Sequence, residues 1–269
     1  MRKKRNGIAW LILTISICGM AIAGYKTWET LQVYREANES YGQVAGLVRA
    51  NGAAIPKVPD IPPEMKLVLN VDVPGIELDF EALQAINADA VAWLYCPDTV
   101  IDYPVMKAAD YSYYLRHLPD GKRNSNGSLF IDYNCAPDFS DELTIIYGHR
   151  MKSGRMFGSL MGYKKQAYFE QHPFMFLYTE RENYRIDLMF GCVISVGTWR
   201  EQAFVYQENL DALLSYAAEH TTFTSETEYS RSDKIIVLST CSYEFKNARY
   251  VVIGVLQPEY LLVLADDSQ

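Results

Sequence analysis

The hydrophobic pattern of this chain changes character several times. Residues 7 to 25 carry no charge over nineteen positions. That is about the length needed to cross a bilayer core. Residues 26 to 50 then place apolar side chains at Trp28, Leu31, Tyr34, Ala37, Tyr41, Val44 and Val48, which is helical spacing. Such a helix either continues the apolar run outward or lies against a folded domain. Prolines and a glycine mark Asn51 to Pro63 as a linker, so the main domain is expected to begin near Met65.

Beyond the linker the pattern shortens. Asp79 to Ile86 reads as a helix capped by Asp79. Val91–Tyr95 and Ile101–Val105 read as strands joined by a Pro-Asp-Thr turn. Tyr111 to His117 is expected to form a helical turn and Asp120 to Gly127 a polar loop. Ser128–Tyr133 and Leu143–Tyr147 are further strands, and Met156 to Tyr168 is a helix interrupted near Gly162. Phe174–Tyr178 and Tyr184–Val196 form a hairpin around Glu180 to Asn183. Glu208 to Ala218 is an amphipathic helix, its apolar stripe made by Leu210, Leu213, Leu214, Ala217 and Ala218. Two apolar strands close the pattern, Lys234–Cys241 and Arg249–Leu256. Many short strands with a few inserted helices predict a mostly β, mostly antiparallel closed barrel.

Composition narrows the class. Hydrophobic residues make up 49% and charged residues 22%, enough apolar material for a full core. The net charge of −8 argues against a nucleic-acid partner. The basic head Met1–Asn6 before the uncharged run places the N-terminus in the cytoplasm and the remainder outside. A retained single-pass anchor is the expectation; a signal peptide cleaved after Ala21-Ile-Ala23 is the competing one. Five cysteines, at 18, 96, 135, 192 and 241, with no C-x-x-C spacing, argue against a disulfide framework or a zinc site.

The candidate chemistry sits at strand ends. An apolar run ends abruptly in Ser239-Thr-Cys241, another ends in Tyr147-Gly-His149, and Arg249 opens the last strand. A thiol attacks as thiolate, a form that a neighbouring cation favours. Histidine can pass a proton to a leaving amine. Arginine stays charged and suits hydrogen bonding to a developing oxyanion. The trio therefore fits acyl transfer through a thioester, although each residue alone also fits a structural role. His117, His172 and His220 lie at helix ends or beside proline and read as solvated or capping. Arg150 and Arg155 are the alternatives to Arg249, but Arg150 is expected to point away from the His149 face.

Leu238-Ser-Thr-Cys241 resembles the T-L-x-T-C signature of sortases, and Tyr147-Gly-His149 and Arg249 are similar to that family's histidine and arginine segments. Asp102–Val105, Gly127–Asp132 and Met156–Gly158 also resemble sortase segments, and the helix before the cysteine strand resembles the class B subgroup. Val237 departs from the signature's first threonine. The resemblance implies a sortase-type barrel with N-terminal helices and an inserted helix before the cysteine strand. It implies a membrane-anchored transpeptidase on a Gram-positive cell, with Cys241 as nucleophile, His149 as proton donor and Arg249 steadying the oxyanion. Thr240 and Ser239 are expected to shape the substrate pocket; satisfying strand-end backbone groups is the plainer role for such hydroxyls.

By the same resemblance no metal or organic cofactor is needed. The partners are secreted proteins bearing a C-terminal sorting motif and an amine of a peptidoglycan precursor. The expected domains are 1–25 (cytoplasmic head and transmembrane anchor), 26–64 (extracellular helix and linker) and 65–269 (catalytic). Ser242 and Tyr243 follow the cysteine, so no carboxylate partner for His149 is expected there. Two other readings compete. One is a catalytically silent, anchored binding or scaffold protein on the same fold. The other is a peptidoglycan L,D-transpeptidase, which usually carries an S-x-G-C-type segment absent here.

Overall fold

The computed structural model describes residues 2–50, 61–62, 65–151, 153–195 and 209–264. The uncharged N-terminal run and the helical pattern after it are one element, α1 (Arg2–Ala45), 44 residues long. Its side chains from Trp10 to Leu31 are exposed, and its length and composition make it one candidate membrane span. Further along, Ala37, Ser40 and Val44 are buried. They recur at helical spacing, so one stripe of α1 docks while its earlier turns stay bare. Tyr41, on the same stripe, donates a hydrogen bond to the Gly127 carbonyl and meets the Tyr103 ring edge-on at 5.2 Å.

The helix stops earlier than its spacing suggests. Gly46 follows its last turn, and Val48–Ala50 forms β1, which pairs with β3 (Ile76–Leu78) in the register Val48↔Leu78. Most of the expected linker, 51–60 and 63, lies outside the described residues. β2 (Met65–Leu69) pairs with β12 (Tyr260–Leu264) as a separate two-stranded sheet. α2 (Phe80–Ile86) begins as expected, with the Asp79 carboxylate accepting from the Ala82 N–H at 2.9 Å.

Eight strands close the barrel. They are β4 (Ala90–Tyr95), β5 (Asp102–Lys107), β6 (Leu129–Ile131), β7 (Leu143–Tyr147), β8 (Phe174–Thr179), β9 (Asn183–Ser195), β10 (Lys234–Cys241) and β11 (Ala248–Pro258). The order around the wall is β10-β11-β9-β8-β4-β5-β6-β7, and β7 returns to β10. The β5–β6 and β7–β10 pairs are parallel and the others antiparallel. The mostly antiparallel closed barrel expected from the sequence is the fold observed.

One short helical expectation shrinks and another divides. Tyr111 to His117 forms bends and a single turn, in which the Arg116 N–H donates to the Tyr113 carbonyl at 3.0 Å. The Asp110 carboxylate caps its start, accepting from the N–H groups of Ser112 (2.6 Å) and Tyr113 (2.8 Å). The segment read as Met156 to Tyr168 becomes a 3-10 helix, Ser159–Lys164, followed by α3, Gln166–Gln171. The break falls where Tyr168 packs on Gly162: a Cβ there would stand 2.8 Å from its ring. α4 (Leu210–His220) takes the place of the amphipathic helix, with Glu208 outside the described residues.

β10 shows why its sequence is a continuous apolar run. Ile236 and Leu238 face the barrel interior beside Ile146, Val252 and Leu94. Ile235 and Val237 face outward and are covered by Leu213, Leu214 and Ala217 of α4. A strand buried on both faces cannot alternate. Each leucine buried by α4 contributes roughly 1.5–3 kcal/mol.

Candidate active site

The sheet register brings two of the candidate residues together. Cys241 and Arg249 are direct cross-strand partners at the ends of β10 and β11. Residues directly opposite in an antiparallel pair share a face, with Cβ atoms about 4.5–5.5 Å apart. That face is the outer one, continuing Val237 on β10 and Val251 and Ile253 on β11 beyond the cover of α4. Both residues are half-buried, whereas Ser239 and Thr240 just below are buried.

The third residue arrives by the parallel neighbour. β7 pairs with β10 as Ser239↔Tyr147. The contact runs on past the strand, with the Gly148 N–H donating to the Ser239 carbonyl at 3.1 Å. His149 follows Gly148 directly, at the same end of the sheet as Cys241 because β7 and β10 run parallel. The Thr240 hydroxyl donates to the Gly148 carbonyl at 2.8 Å, so it ties the cysteine strand to the histidine turn. This is the plainer of the two roles the sequence allowed it. Ser239 is 1% exposed and its hydroxyl has no hydrogen-bond partner among the described residues.

His149 is held from outside the sheet. Its Nε2 lies 2.7 Å from the Leu115 carbonyl oxygen. A carbonyl can only accept, so Nε2 carries the proton and Nδ1 is the atom left for proton transfer. Gly127 makes the approach possible. Its φ is +61°, and a Cβ there would stand 2.5 Å from the Tyr114 carbonyl and 3.0 Å from His149 Cδ2. Gly148 is equally confined, since a Cβ would fall 2.5 Å from Leu129 and 2.6 Å from Phe157. The histidine's ring partner is thus a backbone carbonyl. Sequence reasoning missed Leu115 because a carbonyl acceptor has no side-chain signature. Gly127 and Gly148 are visible as glycines beside chemistry-bearing segments.

The other candidate cations turn elsewhere. Arg150 stacks over the Tyr243 ring at 4.6 Å. Arg155 donates to the Asn38 side chain on α1. Glu244, in the loop after Cys241, is engaged by Lys164 and Ser242. Burial, with Arg150 adding to it, lowers the proton affinity of Lys164. Tyr243 and Phe245 of this loop are 72% and 49% exposed, so the cysteine lies beside an apolar, solvent-facing rim. His117, His172 and His220 bond or pack locally: the Nδ1 atoms of His117 and His220 lie 2.7 and 2.9 Å from the Tyr113 and Tyr216 carbonyls, and His172 caps α3.

All five cysteines are free thiols. Burial pushes the Cys135 thiol up to about 11 and the Cys192 thiol up to about 12, and raises Cys96 as well. These three are inert core residues at neutral pH.

No protein-family profile matches the chain. A sortase B of Listeria monocytogenes is 35% identical over 179 residues, covering 65% of this chain and 72% of that protein. The chain belongs to the class B sortases. A sortase B of Staphylococcus aureus is 25% identical over 178 residues, 65% of this chain and 73% of its own. Among solved structures, sortase B from B. anthracis superposes with a TM-score of 0.66 at 26% identity, covering 85% of this chain and 99% of that one. A Staphylococcus aureus sortase B–substrate complex superposes at 0.61 and 25% identity, covering 66% and 84%. The chain is accordingly a sortase-type cysteine transpeptidase, and the class B subgroup inferred from its motifs is the one found.

Proposed function

We propose that this sortase cleaves a C-terminal sorting motif of secreted proteins and transfers them, as a thioacyl intermediate on Cys241, to an amine of a cell-wall precursor. The observation that carries the reading is the register that makes Cys241 and Arg249 partners, with His149 at the same end of the sheet, one residue past the Gly148–Ser239 contact. In this mechanism the Cys241 sulfur attacks a backbone carbonyl of the motif. Arg249 donates hydrogen bonds to the oxyanion as it forms. Protonated His149 gives its Nδ1 proton to the departing amine. The acceptor amine then attacks the thioester, His149 takes its proton, the C–S bond breaks and the thiolate is restored. Ser239, two residues before the reacting sulfur on the same face of β10, lines the floor beneath it, and Thr240 holds the Gly148 turn from the other face. Residues 1–25 serve as cytoplasmic head and transmembrane anchor, with the barrel outside the cell. A substrate complex is described for the Staphylococcus aureus relative, in support of a peptide-binding site on this fold.

The test uses the full chain in detergent micelles, incubated with a peptide library of the form X-P-x-T-X and followed by intact mass, with Cys241→Ala as control. The expected result is an acyl adduct on the wild type alone, mapped to Cys241. Absence of any adduct, with Cys241 also unreactive toward small thiol reagents, supports a silent scaffold instead.

A further inference from the structure

His149 is also one wall of a cleft of about 540 Å³ whose other walls are Leu115, Arg116, Arg123, Asn124 and Ser125. The cleft is built by a tight loop. His117 and Arg123 form an antiparallel bridge, the Asn124 N–H donates to the Arg116 carbonyl at 2.8 Å, and Gly121 turns the chain with φ +78°. This folding back sets Arg116 and Arg123, seven positions apart in sequence, on the same cleft.

The polar groups of the cleft differ in what they have left to offer. Asn124 is spent: its Nδ2 donates to the Val33 carbonyl at 2.9 Å and lies 3.4 Å from Glu36 Oε2, and its Oδ1 accepts from Asn126 N–H at 3.0 Å. Asp120 is taken by Lys122 at 2.8 Å. Neither Arg116 nor Arg123 pairs with a carboxylate among the described residues. Both side chains are exposed. Two guanidinium forks, each rich in donors and lacking any acceptor, are suited to a planar or tetrahedral oxyanion.

We propose that this cleft binds an oxyanion, carboxylate or phosphate, carried by the acceptor that resolves the acyl enzyme. The proposal rests on the acyl-transfer reading above and names the chemistry of its second substrate. The shared wall is the reason for the assignment. The attacking amine must surrender a proton to His149 as its nitrogen bonds to the thioester carbon and sulfur departs. An acceptor tethered by its anion in a cleft that ends at the imidazole presents its amine there at high effective concentration.

The experiment starts from full-length acyl enzyme in micelles, formed with the peptide found above, and measures aminolysis against concentration of triglycine and of triglycinamide. The Arg116→Gln/Arg123→Gln double variant is expected to acylate at the wild-type rate and to raise the KM for triglycine tenfold or more, with that for triglycinamide unchanged. Inorganic pyrophosphate separates the two sources. Competition with triglycine in the wild type, lost in the double variant, assigns a phosphate group; a triglycine effect without such competition assigns a carboxylate. Equal effects on both acceptors, or no effect on triglycine together with no pyrophosphate inhibition, overturn the proposal. Failure to acylate with any peptide sinks the acyl-transfer reading instead. Calorimetric titration of pyrophosphate into wild type and double variant then still decides whether the cleft is an anion site.

Discussion

The two halves of the site are held by different kinds of structure. Cys241 and Arg249 are locked into a ladder, with β11 bonded to β10 on one side and β9 on the other. Moving either Cα means breaking a strand buried on both faces. His149 lies past the end of β7 and depends on a turn and a loop: the Phe157 N–H on its carbonyl at 3.1 Å, the Leu115 carbonyl on its ring, and two glycines that leave room. Cys241 and Arg249 are therefore fixed by the fold itself, while His149 is fixed by loop packing that single substitutions can disturb.

Arg249→Ala tests the ladder-held half. It should lower turnover about 10²–10³-fold, the usual loss for one oxyanion donor, with the melting temperature nearly unchanged; Arg249→Lys should recover only part of it, since an ammonium cannot reproduce the guanidinium fork. Gly127→Ala probes the loop-held half. A Cβ at a positive φ, 2.5 Å from a carbonyl, forces the loop off His149. Stability should fall by about 2 kcal/mol, and turnover should fall with it, because the imidazole loses the Leu115 carbonyl that fixes its orientation. Unchanged turnover breaks the distinction drawn here.

Thr240→Val addresses the seam between the halves. It removes a buried hydrogen bond to the Gly148 carbonyl and leaves that acceptor unpaired. A loss of about 1–3 kcal/mol is expected by denaturant titration, with a smaller fall in turnover. Glu259→Gln is the remote control and the smallest effect. Burial raises the Glu259 pKa above that of the unfolded chain, so the folded state holds the proton more firmly. Its contribution to stability is greatest below the unfolded carboxylate range and is lost as pH rises through the folded value. The glutamine variant should melt slightly higher than wild type near pH 7, with the gap closing on acidification and activity untouched.

The ladder-held half was legible in the sequence because strand periodicity and abrupt chain chemistry are local. The run Lys234–Cys241 and the run from Arg249 could be read as strands, and their pairing as neighbours is the commonest outcome for consecutive strands. The loop-held half was legible only as a histidine after a glycine. What positions it is Leu115, 34 residues upstream, acting through a backbone carbonyl that every residue has. The same limit explains the missed β2–β12 pair, whose two strands are almost at opposite ends of the folded region.

The unbroken run of α1 carries a consequence of scale. If the uncharged stretch through Tyr25 lies within the bilayer, the first backbone group bonded to the barrel loop is the Val33 carbonyl, eight residues on. At 1.5 Å per residue that interval is about 12 Å. The barrel then rides close above the lipid headgroups on a strut without a hinge, and its reach is a shallow layer instead of a volume. Substrates that are themselves tethered to the membrane would then meet it by lateral diffusion in two dimensions.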